Sequence, residues 1–203
     1  MPESQANDYC KRYGDAVIAI PDSQDGHIAR KRNALLDLIR KEQEDGYGWV
    51  CDDDIYKIQR KKEGTTLSGD EALELLEKVY IMAKDMGAMF GGIDYSADNL
   101  KLKDMTPFSL TKPVFGMVLV NPLDDIRYDE RLRIKSDTEY WIAKMNNGRR
   151  LIRDNQYVAV AHGTDGGANS VIQYDKWEQR AHATMINNKW GRHIVQWKKT
   201  RFP

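Results

Sequence analysis

Apolar and polar positions along the chain follow two patterns, one typical of buried strands and the other of helices. Continuous apolar runs of about four to eight residues, bounded by turn-forming residues, indicate strands. The predicted strands cover residues 15–20, 46–51, 88–93, 113–120 and 157–162. Apolar residues spaced three and four apart predict helices that begin at Ile28, Gly69, Asp137 and Tyr174. This alternation of strands and helices predicts an α/β protein.

The strand over residues 46–51 ends in Asp52-Asp53-Asp54. Together with the strand over 15–20 and the helix from Ile28, it forms a predicted βαβ unit, which is typical of a parallel sheet. Ligands of open α/β sheets bind at the carboxyl ends of the strands. Adjacent carboxylates repel one another unless a cation neutralises them, and Mg²⁺ or Mn²⁺ takes such oxygen ligands. We therefore predict a metal-diphosphate site, with an acidic turn as the alternative.

Composition sets the wider limits. The chain has 203 residues, with 31 Lys plus Arg and 31 Asp plus Glu, so we expect one domain over 1–203 without a global charge bias. Within it, 1–14 is a polar N-terminal segment and 189–203 a basic tail. The two cysteines are far apart and indicate a reducing compartment. Because the sequence has neither a membrane-length apolar run nor a signal-peptide pattern, we expect a cytoplasmic protein.

Several short motifs follow one another in an order that resembles a known family. They are Ala29–Asn33 (ARKRN), Cys51–Ile55 (CDDDI), Phe115-Gly116, Tyr128–Leu132 (YDERL), Ser136–Trp141 (SDTEYW) and Lys189–Gly191 (KWG). This order resembles nucleotide-sugar glycosyltransferases of the GT-A fold, and in particular the small phage enzymes called TET-associated glycosyltransferases. In the motif Ser136–Trp141, Ser136 stands where the family usually carries the first of its acidic residues.

The resemblance implies a GT-A-like three-layer α/β fold with a mostly parallel sheet. It also implies sugar transfer from a nucleotide diphosphate sugar, with hydroxylated pyrimidines in phage DNA as acceptors of some members and the host cytoplasm as the location. Because the first predicted strand begins at residue 15, we expect most of the opening strand-helix-strand of a GT-A domain to be missing. We therefore expect a fold shortened at its N-terminus.

The donor and the metal are assigned to the first two motifs. Asp52 and Asp54 match the family's metal-binding acids and are predicted to hold Mn²⁺ or Mg²⁺. Asp53 is predicted to contact the donor or, alternatively, to cap the segment that follows. Arg32 and Asn33 are predicted to hold the diphosphate or ribose, with a solvated basic face as the alternative.

Catalysis and acceptor binding are assigned further along the chain. Asp137 is the predicted general base of an inverting displacement, with a helix cap as the alternative. Glu139 is predicted to support the acceptor, or to be an exposed helical glutamate. Phe115 and Gly116 are predicted to admit the acceptor close to the backbone, or to form an ordinary turn. His162 is a candidate third metal ligand, the alternative being a loop histidine without a chemical role.

Two other functional classes fit parts of the pattern. An aspartate-nucleophile phosphatase also has two aspartates after a strand, as at Asp52 and Asp54, and residues 165–169 loosely match a second acidic motif of such enzymes. Tyr56 counts against it, since a threonine or valine is expected there. The third alternative is a truncated glycosyltransferase relative that acts as a binding module without turnover.

Overall fold

The computed structural model describes residues 1–42, 46–95, 106–161 and 176–194. Five α-helices lie in these ranges: α1 (Glu3–Tyr13), α2 (Ile28–Glu42), α3 (Gly69–Asp85), α4 (Ser136–Asn146) and α5 (Lys176–Trp190). The strands are β1 (Gly48–Cys51), β2 (Ile55–Arg60), β3 (Phe90–Tyr95), β4 (Phe108–Ser109), β5 (Met117–Val120) and β6 (Leu151–Ala161).

The strands form one sheet in the order β1-β5-β3-β6-β2, with β4 also paired to β6. Only β3 and β6 pair in parallel, and the other pairings in this sheet are antiparallel. The prediction of a mostly parallel sheet was therefore wrong, because the sheet is mixed. An apolar run indicates that a strand is buried, but it carries no information about the direction of the neighbouring strand.

The predicted strand over 15–20 is also wrong. Residues Gly14–Ala16 form a 3₁₀ turn, and in this stretch only Ile20 makes an isolated bridge, to Pro2. Ile18 is about half exposed, so the run lies outside the sheet despite its composition. Since β1 pairs with β5 in an antiparallel manner, the predicted βαβ unit is not formed by these segments.

The helix predictions agree better with the structure. Helices α2, α3 and α4 occur where they were predicted, and α5 covers most of the predicted fourth helix. At the start of α3, Ser68 and Glu71 form the reciprocal bonds of a capping box, as their spacing indicates. Helix α1 was missed: it lies in the segment 1–14, whose mostly polar composition was not assigned to a helix, and it has no buried residue.

Helices cover both faces of the sheet, as the three-layer prediction requires. Along β5, Val118 and Val120 pack in a cluster with residues of α2 and α4, whereas Met117 and Leu119 pack with residues of α3. Alternate residues of a strand point to opposite faces, so this short strand contributes to both cores. Among the described residues, no helix has the length and apolar character needed to cross a membrane.

The acidic triplet connects the two edge strands of the sheet. Residues 52–54 lead from the end of β1 to the start of β2, which lies at the opposite edge. Four Cα–Cα steps span at most about 14 Å, whereas four flat strand spacings would need about 19 Å. The sheet therefore curls at this end, and the triplet lies across the strand ends.

Candidate functional site

Arg32 brings two distant aspartates together at the curled end of the sheet. Asp52 directly follows β1, Arg32 lies in α2, and Asp137 lies in the first turn of α4. The Nη2 atom of Arg32 is 2.5 Å from Oδ1 of Asp52, and its Nη1 atom contacts Oδ1 of Asp137. One guanidinium thus bridges carboxylates that are 85 positions apart in the sequence, since 137 − 52 = 85.

The burial of the three side chains differs. The side chain of Arg32 is 7% exposed, while those of Asp52 and Asp137 are 25% and 35% exposed. Burial by itself would lower the pKa of Arg32, but Tyr128 and Asp52 outweigh it and raise that pKa above its ordinary value. Arg32 is therefore a permanent buried cation, and the two carboxylates present their remaining surface to solvent.

Two stacked tyrosines lie beside this cation. The rings of Tyr128 and Tyr140 are 3.8 Å apart and nearly parallel, and the guanidinium carbon of Arg32 lies 5.4 Å from the centre of the Tyr128 ring. Burial raises the pKa of Tyr128 to about 12, so its hydroxyl stays protonated at neutral pH. Both rings are almost completely buried and belong to the core, so the stack is a rigid support for the Arg32 guanidinium.

Asn33 holds the backbone of Tyr128 in place. Its Oδ1 atom accepts a hydrogen bond from the backbone N–H of Tyr128 at 2.9 Å, and its Nδ2 atom donates to the Tyr128 carbonyl at 3.0 Å. The same Nδ2 atom also donates to Glu130 at 2.9 Å. Both amide hydrogens of the buried Asn33 are thus used within the protein. Asn33 ties α2 to the YDERL motif, and its predicted donor contact stays a prediction.

The loop at Phe115-Gly116 lies next to Asp52. The backbone N–H of Asp52 donates to the Gly116 carbonyl at 2.7 Å. Gly116 has a φ of +68°, and a Cβ atom added there would lie 2.3 Å from the ring of Tyr95. Only glycine permits both this backbone conformation and this close ring contact. The loop predicted to bind the acceptor is therefore at the same end of the sheet as the acidic triplet.

Arg153 binds the backbone just before this loop. Its Nη1 atom donates to the Pro113 carbonyl at 2.8 Å and to Oδ1 of Asp94 at 3.0 Å. Lys61 contacts the other carboxylate oxygen of Asp94. All three charged side chains are at least 86% buried. Sequence reasoning missed this network, because its members are scattered and none of them belongs to a recognisable motif.

The start of α4 presents Asp137 in a specific way. Lys135 occupies the cap position, where no side chain makes a capping hydrogen bond, so the alternative in which Asp137 caps the helix was wrong. Lys135 also adopts a left-handed backbone with φ +66°, which is uncommon for a residue with a side chain. The carboxylate of Asp137 is therefore free to pair with Arg32 instead of the helix end.

Glu139 lies apart from Arg32, Asp52 and Asp137. Two helical positions differ by about 200° around the axis, so Glu139 and Asp137 point to opposite sides of α4. Glu139 is 1% exposed, and its Oε1 atom accepts from Nζ of Lys189 at 2.6 Å and from Nε1 of Trp190 at 3.3 Å. The alternative of an exposed helical glutamate was wrong. Within the described ranges Glu139 makes no contact with the other predicted site residues, and its acceptor role stays a prediction.

The remaining predicted site residues have different outcomes. Asp53 is exposed, and Asp54 is half-buried in the turn between β1 and β2. His162, the candidate third metal ligand, lies outside the described residues, as do residues 165–169 and most of the basic tail. Within the described ranges, no three His, Cys, Asp or Glu side chains cluster as a metal site would require. The metal therefore stays a prediction.

Two comparisons with known proteins bear on identity. A family model described as TET-Associated Glycosyltransferase matches residues 1–168. This match confirms the resemblance that the order of the motifs indicated, and it includes Arg32, Asp52 and Asp137. No curated protein matches the chain.

Proposed function

The chain belongs to the TET-associated glycosyltransferase family, and we propose that it transfers a sugar from a nucleotide diphosphate sugar to an acceptor hydroxyl in the cleft around Arg32. The observation that carries this proposal is the contact of one buried cation with both Asp52 and Asp137. Acids assigned to the donor and to catalysis thus lie on either side of a single guanidinium.

Asp137 acts as the general base in this proposal. Its carboxylate is oriented by Arg32, and its side chain is 35% exposed, so an acceptor hydroxyl has access to it. As the acceptor oxygen attacks the anomeric carbon, its proton moves to the Asp137 carboxylate and the bond to the nucleoside diphosphate breaks on the opposite side. Such a single displacement inverts the anomeric centre.

The donor diphosphate lies beside the acidic triplet in this proposal, on the exposed side of the ion pair between Asp52 and Arg32. Mg²⁺ is usually held by one or two protein carboxylates together with substrate phosphates. Asp52 and Asp54 would therefore supply the protein ligands of Mg²⁺ or Mn²⁺, and the donor phosphates would supply further ligands. When bound, this ion neutralises the charge that grows on the departing diphosphate. His162 is the proposed third ligand, and Asp53 the proposed additional donor contact.

The acceptor enters over Phe115 and Gly116 in this proposal. Phe115 is partly exposed here, and the loop is bonded to Asp52 through the Gly116 carbonyl. By resemblance to the family, we propose a hydroxylated pyrimidine in phage DNA as the acceptor. The enzyme would then act in the cytoplasm of the host, where that DNA is modified.

A transfer assay tests the proposal. The full chain is incubated with a panel of UDP-sugars, Mn²⁺ and duplex DNA that carries 5-hydroxymethylated pyrimidines, and digested nucleosides are analysed by mass spectrometry. We expect a product heavier by one sugar, and a loss of about 10²–10⁴-fold in kcat for Asp137→Asn, which should remain folded under the assay conditions. Asp85→Asn is the matched control, since it removes an exposed acid at the end of α3, outside the residues assigned to the site.

Three outcomes bear on different parts of the proposal. Full activity of Asp137→Asn would overturn the assignment of the base. Activity that survives complete removal of divalent ions would overturn the proposed metal dependence. Tight nucleotide-sugar binding without transfer or hydrolysis on any acceptor would favour the alternative of a binding module.

A further inference from the structure

Asp52 is held at two points, one on its side chain and one on its backbone. Arg32 contacts the carboxylate at 2.5 Å. The backbone N–H donates to the Gly116 carbonyl at 2.7 Å, just beyond the last pair of the β1–β5 ladder. Gly116 ends a loop, residues 113–116, that leads into β5. The position of the Asp52 carboxylate therefore depends on where this loop places the Gly116 carbonyl.

The 113–116 loop is held in its middle and at both ends. Val114 is 5% exposed and packs in the core. At the start of the loop, Nη1 of Arg153 donates to the Pro113 carbonyl at 2.8 Å. At its end, Gly116 lies against the ring of Tyr95, so closely that an added Cβ would be 2.3 Å from two ring carbons. Side chains from β6 and β3 thus fix the two ends of the loop.

Asp94 joins these two contacts. Its Oδ1 atom accepts from Nη1 of Arg153 at 3.0 Å and from the backbone N–H of Tyr95 at 2.9 Å. Its Oδ2 atom contacts Lys61. Asp94 is 14% exposed and both cations are less exposed still, and hydrogen bonds are stronger in such surroundings than in water. The contacts at the two ends of the loop therefore belong to one buried network.

We propose that Arg153 and Tyr95 are positioning residues for Asp52: they fix the 113–116 loop, whose Gly116 carbonyl in turn fixes the Asp52 backbone. The importance of Asp52 for donor and metal binding rests on the proposed function. Within the described residues, the hydrogen bonds of the Arg153 side chain go to Asn155, Asp94 and Pro113, so its effect on Asp52 passes through the loop.

Amide hydrogen exchange followed by NMR tests the first step. Arg153→Met keeps an apolar chain of similar length without a donor, and Tyr95→Leu, at a partly exposed position, removes the ring beside Gly116. We expect each variant to lower the protection of the Asp52 amide at least tenfold relative to the amides of β5. That strand is paired on both sides, so its amides report unfolding of the whole domain, and the ratio corrects for any general loss of stability.

Two matched controls separate the loop contacts from other changes. Lys78→Met breaks the ion pair with Asp154, the next residue of β6, on the side of the sheet that carries α3. Tyr95→Phe keeps the ring and removes only the hydroxyl. We expect both controls to leave the relative protection of the Asp52 amide unchanged.

Binding of Mn²⁺ in the presence of UDP tests the second step, with free Mn²⁺ measured by its EPR signal. Replacing groups that orient a metal ligand typically costs 10–100-fold in metal affinity. We expect the Kd for Mn²⁺ to rise about tenfold in Arg153→Met and in Tyr95→Leu, and to stay unchanged in both controls. A merely structural role would instead reduce the number of folded binding sites and leave the affinity of each site the same.

The outcomes distinguish this inference from the proposed function. Unchanged protection of Asp52 in both Arg153→Met and Tyr95→Leu would overturn the inference, and so would an unchanged Kd after protection is lost. An equal effect of Tyr95→Phe would also overturn it, because the hydroxyl and not the ring would then be responsible. If protection is lost but the wild-type protein binds neither Mn²⁺ nor UDP, the positioning of Asp52 is supported and the proposed function is refuted.

Discussion

Replacing Arg32 with methionine tests whether its charge is what allows two aspartates to share the cleft. Methionine keeps most of the length of the side chain and removes the guanidinium. Breaking a fully buried ion pair usually costs about 3–5 kcal/mol, and an exposed pair contributes at most about 1 kcal/mol. Arg32 is 7% exposed, but its partners are 25% and 35% exposed. We therefore expect a loss between these limits, about 2–3 kcal/mol.

Urea unfolding followed by tryptophan fluorescence measures this loss as a shift of the midpoint by about 1 M. The double variant Arg32→Met/Asp52→Asn removes one of the two facing charges, and we expect it to recover about 1 kcal/mol of the loss. Arg30→Met is the matched control in the same helix. Its side chain is 43% exposed and lies 3.8 Å from Glu130, so its loss should stay below about 1 kcal/mol.

The reasoning about Arg32 would be refuted by either of two results. In one, Arg32→Met unfolds at the same urea concentration as Arg30→Met. In the other, neutralising Asp52 destabilises the Arg32→Met variant further instead of rescuing it.

Three further substitutions test other parts of the fold by the same unfolding measurement. Gly116→Ala should cost about 2–4 kcal/mol, because the left-handed backbone and the contact with Tyr95 both exclude a Cβ; a loss under about 0.5 kcal/mol would contradict this contact. Asn33→Ala should cost about 2–4 kcal/mol, since it leaves the buried N–H and carbonyl of Tyr128 without partners. Wild-type stability of this variant would show that these two hydrogen bonds do not stabilise the fold. Ser68→Ala should cost about 1 kcal/mol by removing the capping box, and Ser68→Asp, which can also cap, should restore most of it.

How much of the site the sequence could predict depended on the range of the interactions involved. Asp52 was predicted from its place after an apolar run, and Asp137 from a short motif of the family at the start of a helical pattern. Their shared contact with Arg32 joins three elements that no local pattern connects. The part of Arg153 in holding the Pro113 carbonyl was missed for the same reason, since a buried arginine in a strand has no distinctive sequence neighbourhood.

By itself the sequence determined the family, the helices α2, α3 and α4 and at least part of the strands β1, β3, β5 and β6, because periodic burial and capping depend on residues close together in the chain. Only the tertiary structure decided that the apolar stretch over 15–20 stays outside the sheet and that the sheet is mixed. It also decided that Glu139 turns away from Asp137 towards Lys189. Strand direction, edge position and charge pairing depend on which distant segment lies alongside, and neighbouring residues in the chain carry little information about that choice.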